Sequence, residues 1–408
     1  MGVQISYMGT KHRLSSTVND LLQRLPDGSL LDAFSGMCSV GAAVAPNRPV
    51  WTNDVQPFPA LVGKRLVSSR SGPLKPDEAW SILEAPFKRN LRALQRRFRS
   101  YLDAEEQYLT TRNIADVIAG NNMLPYVGNN VHMDCERRRL EKSPNTFPYR
   151  LATITYVGSY FGASQCMEVD SIRCAIDTAT SVQKISLEQR DWLIIAVGQA
   201  LTRVNNSTGQ FAQYLKPHSR NLHRFSGQRS KSVLAEFLRA LETICPLGTA
   251  NWRSENYAFQ EDALLLLRDM QLRRSKPSIV FADPPYSKAQ YSRYYHVLDV
   301  FVDYRYPAIS SVGRYPTNRF QTTFANASSV ESSMTALIRL VSELKASLIL
   351  SYPENGLFNK RGGRILKLLR EYFSHVEVVS SEVQQHSTFG GRAALPKLPV
   401  LEHVYLAR

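Results

Sequence analysis

The sequence predicts an α/β protein built on a doubly wound, Rossmann-like sheet, with a long and mostly helical region inserted after the second strand. Two observations lead there. Residues 30–55 run strand, turn, small-residue helix, strand, and beyond residue 255 a second series of short apolar runs ends in acids or prolines. Neither half supplies enough strands for a covered parallel sheet, so the two are read as one.

Taken in order, "GTKHRLSSTVNDLLQRL" carries Leu14, Val18, Leu21, Leu22 and Leu25 at helical spacing, and Pro26-Asp27-Gly28 stops it. "SLLDAF" reads as a short strand, "SGMCSVGAAVA" as a turn entering a helix, and "PVWTNDV" as the next strand. Within the insertion, "FKRNLRALQRRFRSYL" sets Phe87, Leu91, Leu94, Phe98 and Leu102 on one stripe and Lys88, Arg92, Arg96 and Arg99 opposite it. Such a face suits solvent or a polyanion alike. After it, "NYAFQEDA" reads as a strand leading into the helix "LLLLRDMQL", "SIVFADPPY" and "ASLILSYPENG" as further strands, and "HVEVVSSEV" and "VLEHVYLAR" as a closing pair. The expected boundaries are a sheet domain of residues 1–60 and 251–408 and an insertion of residues 61–250.

Composition narrows the partners. The 408 residues hold 50 lysines and arginines against 35 acids, a net charge of +15. With a pI near 9.6, the field favours polyanions, nucleic acid first. The five cysteines (Cys38, Cys135, Cys166, Cys174, Cys245) are scattered with no CxxC pair, which points to reduced thiols and no metal site. No apolar stretch approaches the roughly 18 residues of a membrane span, and the N-terminus lacks a signal-peptide core, so a cytoplasmic protein is expected.

The chemistry concentrates in "SIVFADPPY". An acid at the carboxyl end of a parallel strand faces the crevice where open α/β sheets bind ligands. Pro284 and Pro285 stiffen the turn and withhold two amide donors, leaving carbonyls free to accept. Asp283 and a neighbouring carbonyl can then receive both hydrogens of an exocyclic amine, and Tyr286 offers a ring to stack the heterocycle. Drawing on those hydrogens frees the nitrogen lone pair for in-line attack on an activated methyl group. Upstream, Gly36 and Gly41 let backbone approach a ligand at a helix N-terminus. Asp54, ending the next strand, is placed for ribose hydroxyls, although a turn beside Pro57 would also use it. Glu261 or Asp262 could hold an adenine amine, or Asp262 could simply cap a helix.

"YMGTKHRL", "DAFSGMCSVG", "NDVQPF" and, after the insertion, "DPPY" resemble in that order the motifs of the Dam-like, alpha-group N6-adenine DNA methyltransferases. "YFGASQCMEVDSIRCAID", "NNSTGQFAQYLK", "RYPTNRFQTTF" and "HSTFGG" further resemble a restriction-modification branch, the type IIS modification methylases. The resemblance implies a methyltransferase sheet with an inserted target-recognition region. It implies S-adenosylmethionine at Tyr7, Lys11, Asp32, Phe34, Gly36, Asp54 and Asp262, no metal, and a flipped adenine at Asp283, Pro284, Pro285 and Tyr286. One position departs from the pattern: the usual glycine two places after Gly36 is Cys38, which bears on the cofactor turn.

The partners implied are double-stranded DNA and, further off, a cognate restriction endonuclease or another defence-system protein. Extruding a base from a duplex needs phosphate and base contacts as well. "KPHSRNLHRFSGQRSKS" offers Arg220, Arg224, Arg229 and Lys231, and "YSRYYHVLD" and "GRYPTNRFQTTF" offer Arg293, Arg314 and Arg319 among tyrosines. An RNA adenine, the cytosine N4 amine and an inert DNA-binding component remain as alternatives. Methylation at a cytosine carbon fits poorly, because it needs a thiol nucleophile and Cys245-Pro246 sits in no recognisable site.

Overall fold

The computed structural model describes residues 12–111, 113–207, 209–386 and 397–408. Among these the strands are, in chain order, β1 (Leu30–Asp32), β2 (Val50–Asn53), β3 (Ala258–Phe259), β4 (Ile279–Ala282), β5 (Ile309–Ser310), β6 (Tyr315–Pro316), β7 (Ser347–Pro353), β8 (Val376–His386) and β9 (Lys397–Ala407). Seven of them form one sheet in the order β3-β2-β1-β4-β7-β9-β8. β1 pairs in parallel with β2 and β4, β2 with β3, and β4 with β7. β9 runs antiparallel between β7 and β8, the expected closing pair. Strand order reverses between β1 and β4, the position at which doubly wound sheets bind ligands.

The strands read as apolar runs because both faces are covered. Leu31, Val280, Ala282, Leu348 and Leu350 point to one face, where helices Ala263–Leu272 and Val330–Glu343 add Leu266, Leu267, Met270, Leu337 and Val341. The alternate residues Leu30, Ile279, Phe281 and Ile349 are buried as well. Each such side chain contributes about 1.5–3 kcal/mol.

Two compact units result. Among the described residues the sheet unit holds 12–70, 246–292 and 320–408, and a mostly helical unit holds 71–245 and 293–319. These limits differ from those expected at 60 and 250. Helix Pro57–Ser68 stays with the sheet because it buries Phe58, Val62 and Leu66. Nearby, Leu247 donates its amide to the Leu66 carbonyl at 2.9 Å, and Asn256 accepts from the Val50 amide at 2.8 Å. Residues 293–319 go to the helical unit for an equally specific reason. The Tyr304 hydroxyl donates to Asp170 at 3.0 Å, and the Arg314 guanidinium donates to the Thr155 and Val157 carbonyls at 2.7 and 2.8 Å.

The core of the helical unit is helix Ala163–Ser181, buried nearly all round, with apolar residues on every side and its buried polar side chains hydrogen-bonded. Asp170 lies inside it and accepts from the Ala152 and Thr153 amides, satisfying the start of helix Leu151–Thr155. The amphipathic stretch from Phe87 to Leu102 is two helices, Pro76–Arg97 and Arg99–Thr110, broken at Phe98 with φ −115° and ψ 35°.

Candidate active site

The site begins where β1 ends. Beyond Asp32 the ladder persists for one residue, with the Ala33 amide donating to the Phe281 carbonyl at 3.0 Å, and the chain then turns. Gly36 takes φ 48°, the left-handed region open to glycine, and its amide donates to Asp54 Oδ2 at 3.1 Å. Cys38 also lies left-handed, at φ 61° and ψ 33°, immediately before helix Ser39–Val44. A non-glycine residue there costs roughly 1–2 kcal/mol. The room for its side chain comes from Gly41, where an added Cβ would fall 2.6 Å from Cys38 Sγ. Burial pushes the Cys38 thiol up, so it stays protonated.

Asp54 follows β2 and is buried; its other oxygen, Oδ1, accepts from the Gln56 amide at 2.9 Å. The side chain of Asn53, a residue that sequence reasoning missed, stitches three strand ends together. Its Nδ2 donates to the Ala33 and Glu261 carbonyls, both at 3.1 Å, and its Oδ1 accepts from the Glu261 amide at 3.1 Å. A carboxamide directly before the strand-end acid was the available signal, since its two ends donate and accept in one such bridge. Past β3, Asp262 caps helix Ala263–Leu272 by accepting at Oδ1 from the Leu264 and Leu265 amides.

After β4 come Asp283 and the prolines. The Tyr286 carbonyl accepts from the Leu357 amide at 2.7 Å, pinning the stiffened turn to the segment beyond β7. Gln290 holds the other end of this loop, donating to the Thr322 carbonyl at 3.2 Å and accepting from its amide at 2.8 Å. Ser292 adds a bond to the Phe320 carbonyl at 2.6 Å. Neither Gln290 nor Thr322 was singled out in the sequence, because a side-chain clasp on distant backbone leaves no local pattern.

These strand ends surround one open cavity. Asp32, Phe34, Gly36, Asp54, Asp262, Asp283 and Pro285 line it together with Gln290, Tyr291 and Thr322, all from the sheet unit. Pro284 is buried, and Tyr286 rests half-buried against the sheet core. Tyr7 and Lys11 lie outside the described residues, as does most of "HSTFGG".

The cavity is acidic. Burial holds the Asp32 carboxyl well above the usual range, and the neighbouring charges of Asp283 and, less strongly, Asp54 add to it against the opposing Phe34 amide. Asp54 is pushed up to about 6 by burial, against the Gln56 and Gly36 amides that favour its charge. Asp32 Oδ1 is buried with no hydrogen-bond partner among the described residues. Clustered carboxyls in low dielectric favour a cationic ligand.

The cations expected on DNA divide into three groups. Arg220, Arg224 and Lys231 are exposed on the helical unit. Arg293 and Arg319 are half-buried over the rings of Tyr294 and Tyr315. Arg229 and Arg314 are interior, which corrects the expectation of a DNA contact for both. Arg229 donates to the Ser159 carbonyl at 2.9 Å and lies over Phe225. Arg314 binds two carbonyls and stacks on Tyr126. Each guanidinium thus donates to backbone carbonyls from a buried position. Tyr294 and Tyr295 are also core residues.

The chain is similar to known proteins. The chain is 20% identical over 370 residues to the modification methylase StsI of Streptococcus sanguinis, covering 90% of this chain and 46% of that one. It is 22% identical over 397 residues to the type II methyltransferase M.FokI of Planomicrobium okeanokoites, covering 93% and 51%. The modification methylase LlaI of Lactococcus lactis subsp. lactis is 24% identical over 257 residues, covering 61% and 37%. The chain thus spans about half or less of the length of these relatives. Among the described residues no helix is long and apolar enough to cross a membrane. A family model matches residues 7–312, most of the chain and every strand end that lines the cavity as far as β4, and by that match the chain belongs to the D12 class N6 adenine-specific DNA methyltransferases.

Proposed function

We propose that this protein transfers a methyl group from S-adenosylmethionine to the N6 amine of an adenine turned out of double-stranded DNA, as a site-specific adenine methylase. The observation that carries the reading is the convergence of Asp32, Asp54 and Asp283, from the ends of three adjacent parallel strands, on one cavity beside the Gly36 turn.

The residues present fit the methyl donor. Asp32 offers a buried, unpartnered carboxyl oxygen to a cationic group. Gly36 supplies a backbone that a ligand can approach closely, and Asp54 an acceptor for ribose hydroxyls. Asp262 already serves as a helix cap through Oδ1, so an adenine amine would meet the rest of that carboxylate. When bound, the donor supplies a methyl group made electrophilic by its sulfonium.

The remaining work falls to the chain. Asp283 accepts one amine hydrogen and the proline-stiffened turn presents a carbonyl for the other, so the nitrogen lone pair is directed out of the base plane. The Gln290–Thr322 clasp and the Leu357–Tyr286 bond keep that turn from moving as the base enters. Because the amine is paired and stacked in duplex DNA, the base must leave the helix to reach Asp283.

The test is to incubate the protein with isotopically labelled donor and either duplex DNA, single-stranded DNA or RNA, digest the product, and identify the modified nucleoside. N6-methyladenine from duplex DNA supports the reading. Label in cytosine or in RNA alone, or none in any, overturns it.

A further inference from the structure

Residues 88–99 carry Lys88, Arg89, Arg92, Arg96, Arg97 and Arg99 and no acid at all. They span the second half of helix Pro76–Arg97 and the first residue of Arg99–Thr110. The helix buries Leu83, Phe87, Asn90 and Leu94 on its inner side. On its outer side Lys88, Arg89, Arg92, Arg96 and Arg99, with Gln95, line one shallow depression in the surface of the helical unit.

The ends of this row are tied to acids, Lys88 to Glu84 at 2.6 Å and Arg99 to Asp103 at 2.8 Å. Arg89 lies 4.6 Å from the ring of Phe147. Arg92 and Arg96 are exposed, and among the described residues no acid pairs with either. Other surface helices of this chain balance an arginine with an acid one turn away, as in Arg137–Glu141, Arg273–Asp269 and Arg339–Glu343. Here cations follow cations at that spacing, an arrangement that repels in the free protein. The helix dipole favours Arg96 and Arg97 in the last turn but falls off before Arg92, Arg89 and Lys88.

The row fits a regularly charged rod. Side chains four residues apart advance about 6 Å along a helix, and the guanidinium fork matches phosphate oxygens in pairs. We propose that this face is a sequence-independent phosphate contact, in which Arg92 and Arg96 at its centre grip the backbone of duplex DNA. The proposal rests on DNA being the substrate and adds a surface separate from Arg220, Arg224 and Lys231.

The test measures binding of random-sequence duplex DNA across a salt series, without methyl donor, for the unaltered protein, Arg92→Ala/Arg96→Ala and Arg92→Lys/Arg96→Lys. Each phosphate contact contributes about 0.9 to the slope of log affinity against log salt, so the alanine pair should make it shallower by about 2. The lysine pair should restore most of that slope. Thermal unfolding and donor affinity, expected to stay as they were, certify the fold. An unchanged slope for the alanine pair, in a protein that still methylates DNA, overturns this contact alone. Failure of the unaltered protein to bind duplex DNA, or binding of RNA only, overturns both the contact and the function it rests on.

Discussion

Asp54 is held by two backbone amides and buried, and the balance of those effects sets when it is charged. A carboxyl raised to about 6 keeps its proton more tightly in the folded chain than in the unfolded one. Its ionisation therefore costs stability above that pH and nothing below the ordinary carboxylate range. Ribose hydroxyls donate best to the charged form, so donor affinity should be complete above about pH 6 and fall as the pH drops through it. Asp54→Asn should bind the donor roughly 10–100-fold more weakly at neutral pH, the worth of a charge-assisted bond, and should lose that acid limb. Calorimetry of both proteins between pH 5 and pH 8 checks this; because Asp32 in the same cavity is raised as well, the result that would move the ribose elsewhere is an acid limb identical in the two proteins. At this scale the acids were legible in the sequence and the cations were not. An acid that closes an apolar strand announces its own position. Arg229 and Arg314 look like Arg220 in a string of letters, and only the carbonyls of Ser159, Thr155 and Val157, gathered from far along the chain, reveal that they are interior.

The turn between β1 and helix Ser39–Val44 shows how an element absorbs a departure from the family's pattern. Cys38 keeps the left-handed backbone that glycine would adopt, and Gly41 yields the space its sulfur needs. Gly41→Ala should therefore destabilise the protein by about 1–3 kcal/mol through overpacking. Most of that cost should disappear in a Cys38→Gly background, which removes the sulfur. Denaturant unfolding of the two single variants and the double gives the coupling, and additive effects would show that the two residues do not compete for the same space. The turn could be read in the sequence from Gly36 and Gly41, but not the division of labour within it. The helix break at Phe98 was also hidden, because the stripe from Phe87 to Leu102 keeps its period across it. Strand existence survived well, since both-faces-buried strands are short apolar runs wherever they occur; β3 is the weakest, only two residues long.

At the scale of the molecule, the acids that line the cavity and the exposed cations considered for DNA belong to different units. Asp32, Asp54, Asp262 and Asp283 gather in the sheet unit, while Arg92, Arg96, Arg220, Arg224 and Lys231 are exposed on the helical one. On the proposed function, a net charge of +15 favours the approach of DNA and an acid-lined cavity favours a cationic donor. The unit limits were only half legible because residues 293–319 follow closely on β4 and the "DPPY" turn, yet Tyr304 and Arg314 bind partners near residues 150–170. The division also separates two properties that can be measured independently. Single-turnover methyl transfer by Asp283→Ala, with the affinity of the same variant for duplex DNA determined in parallel, tests the arrangement most directly. Transfer should fall by at least about 100-fold, the usual effect of removing an acceptor or donor at the reacting atom, with DNA affinity within about two-fold of the original. Transfer that continues at a comparable rate would contradict the assignment of Asp283 to the reacting amine.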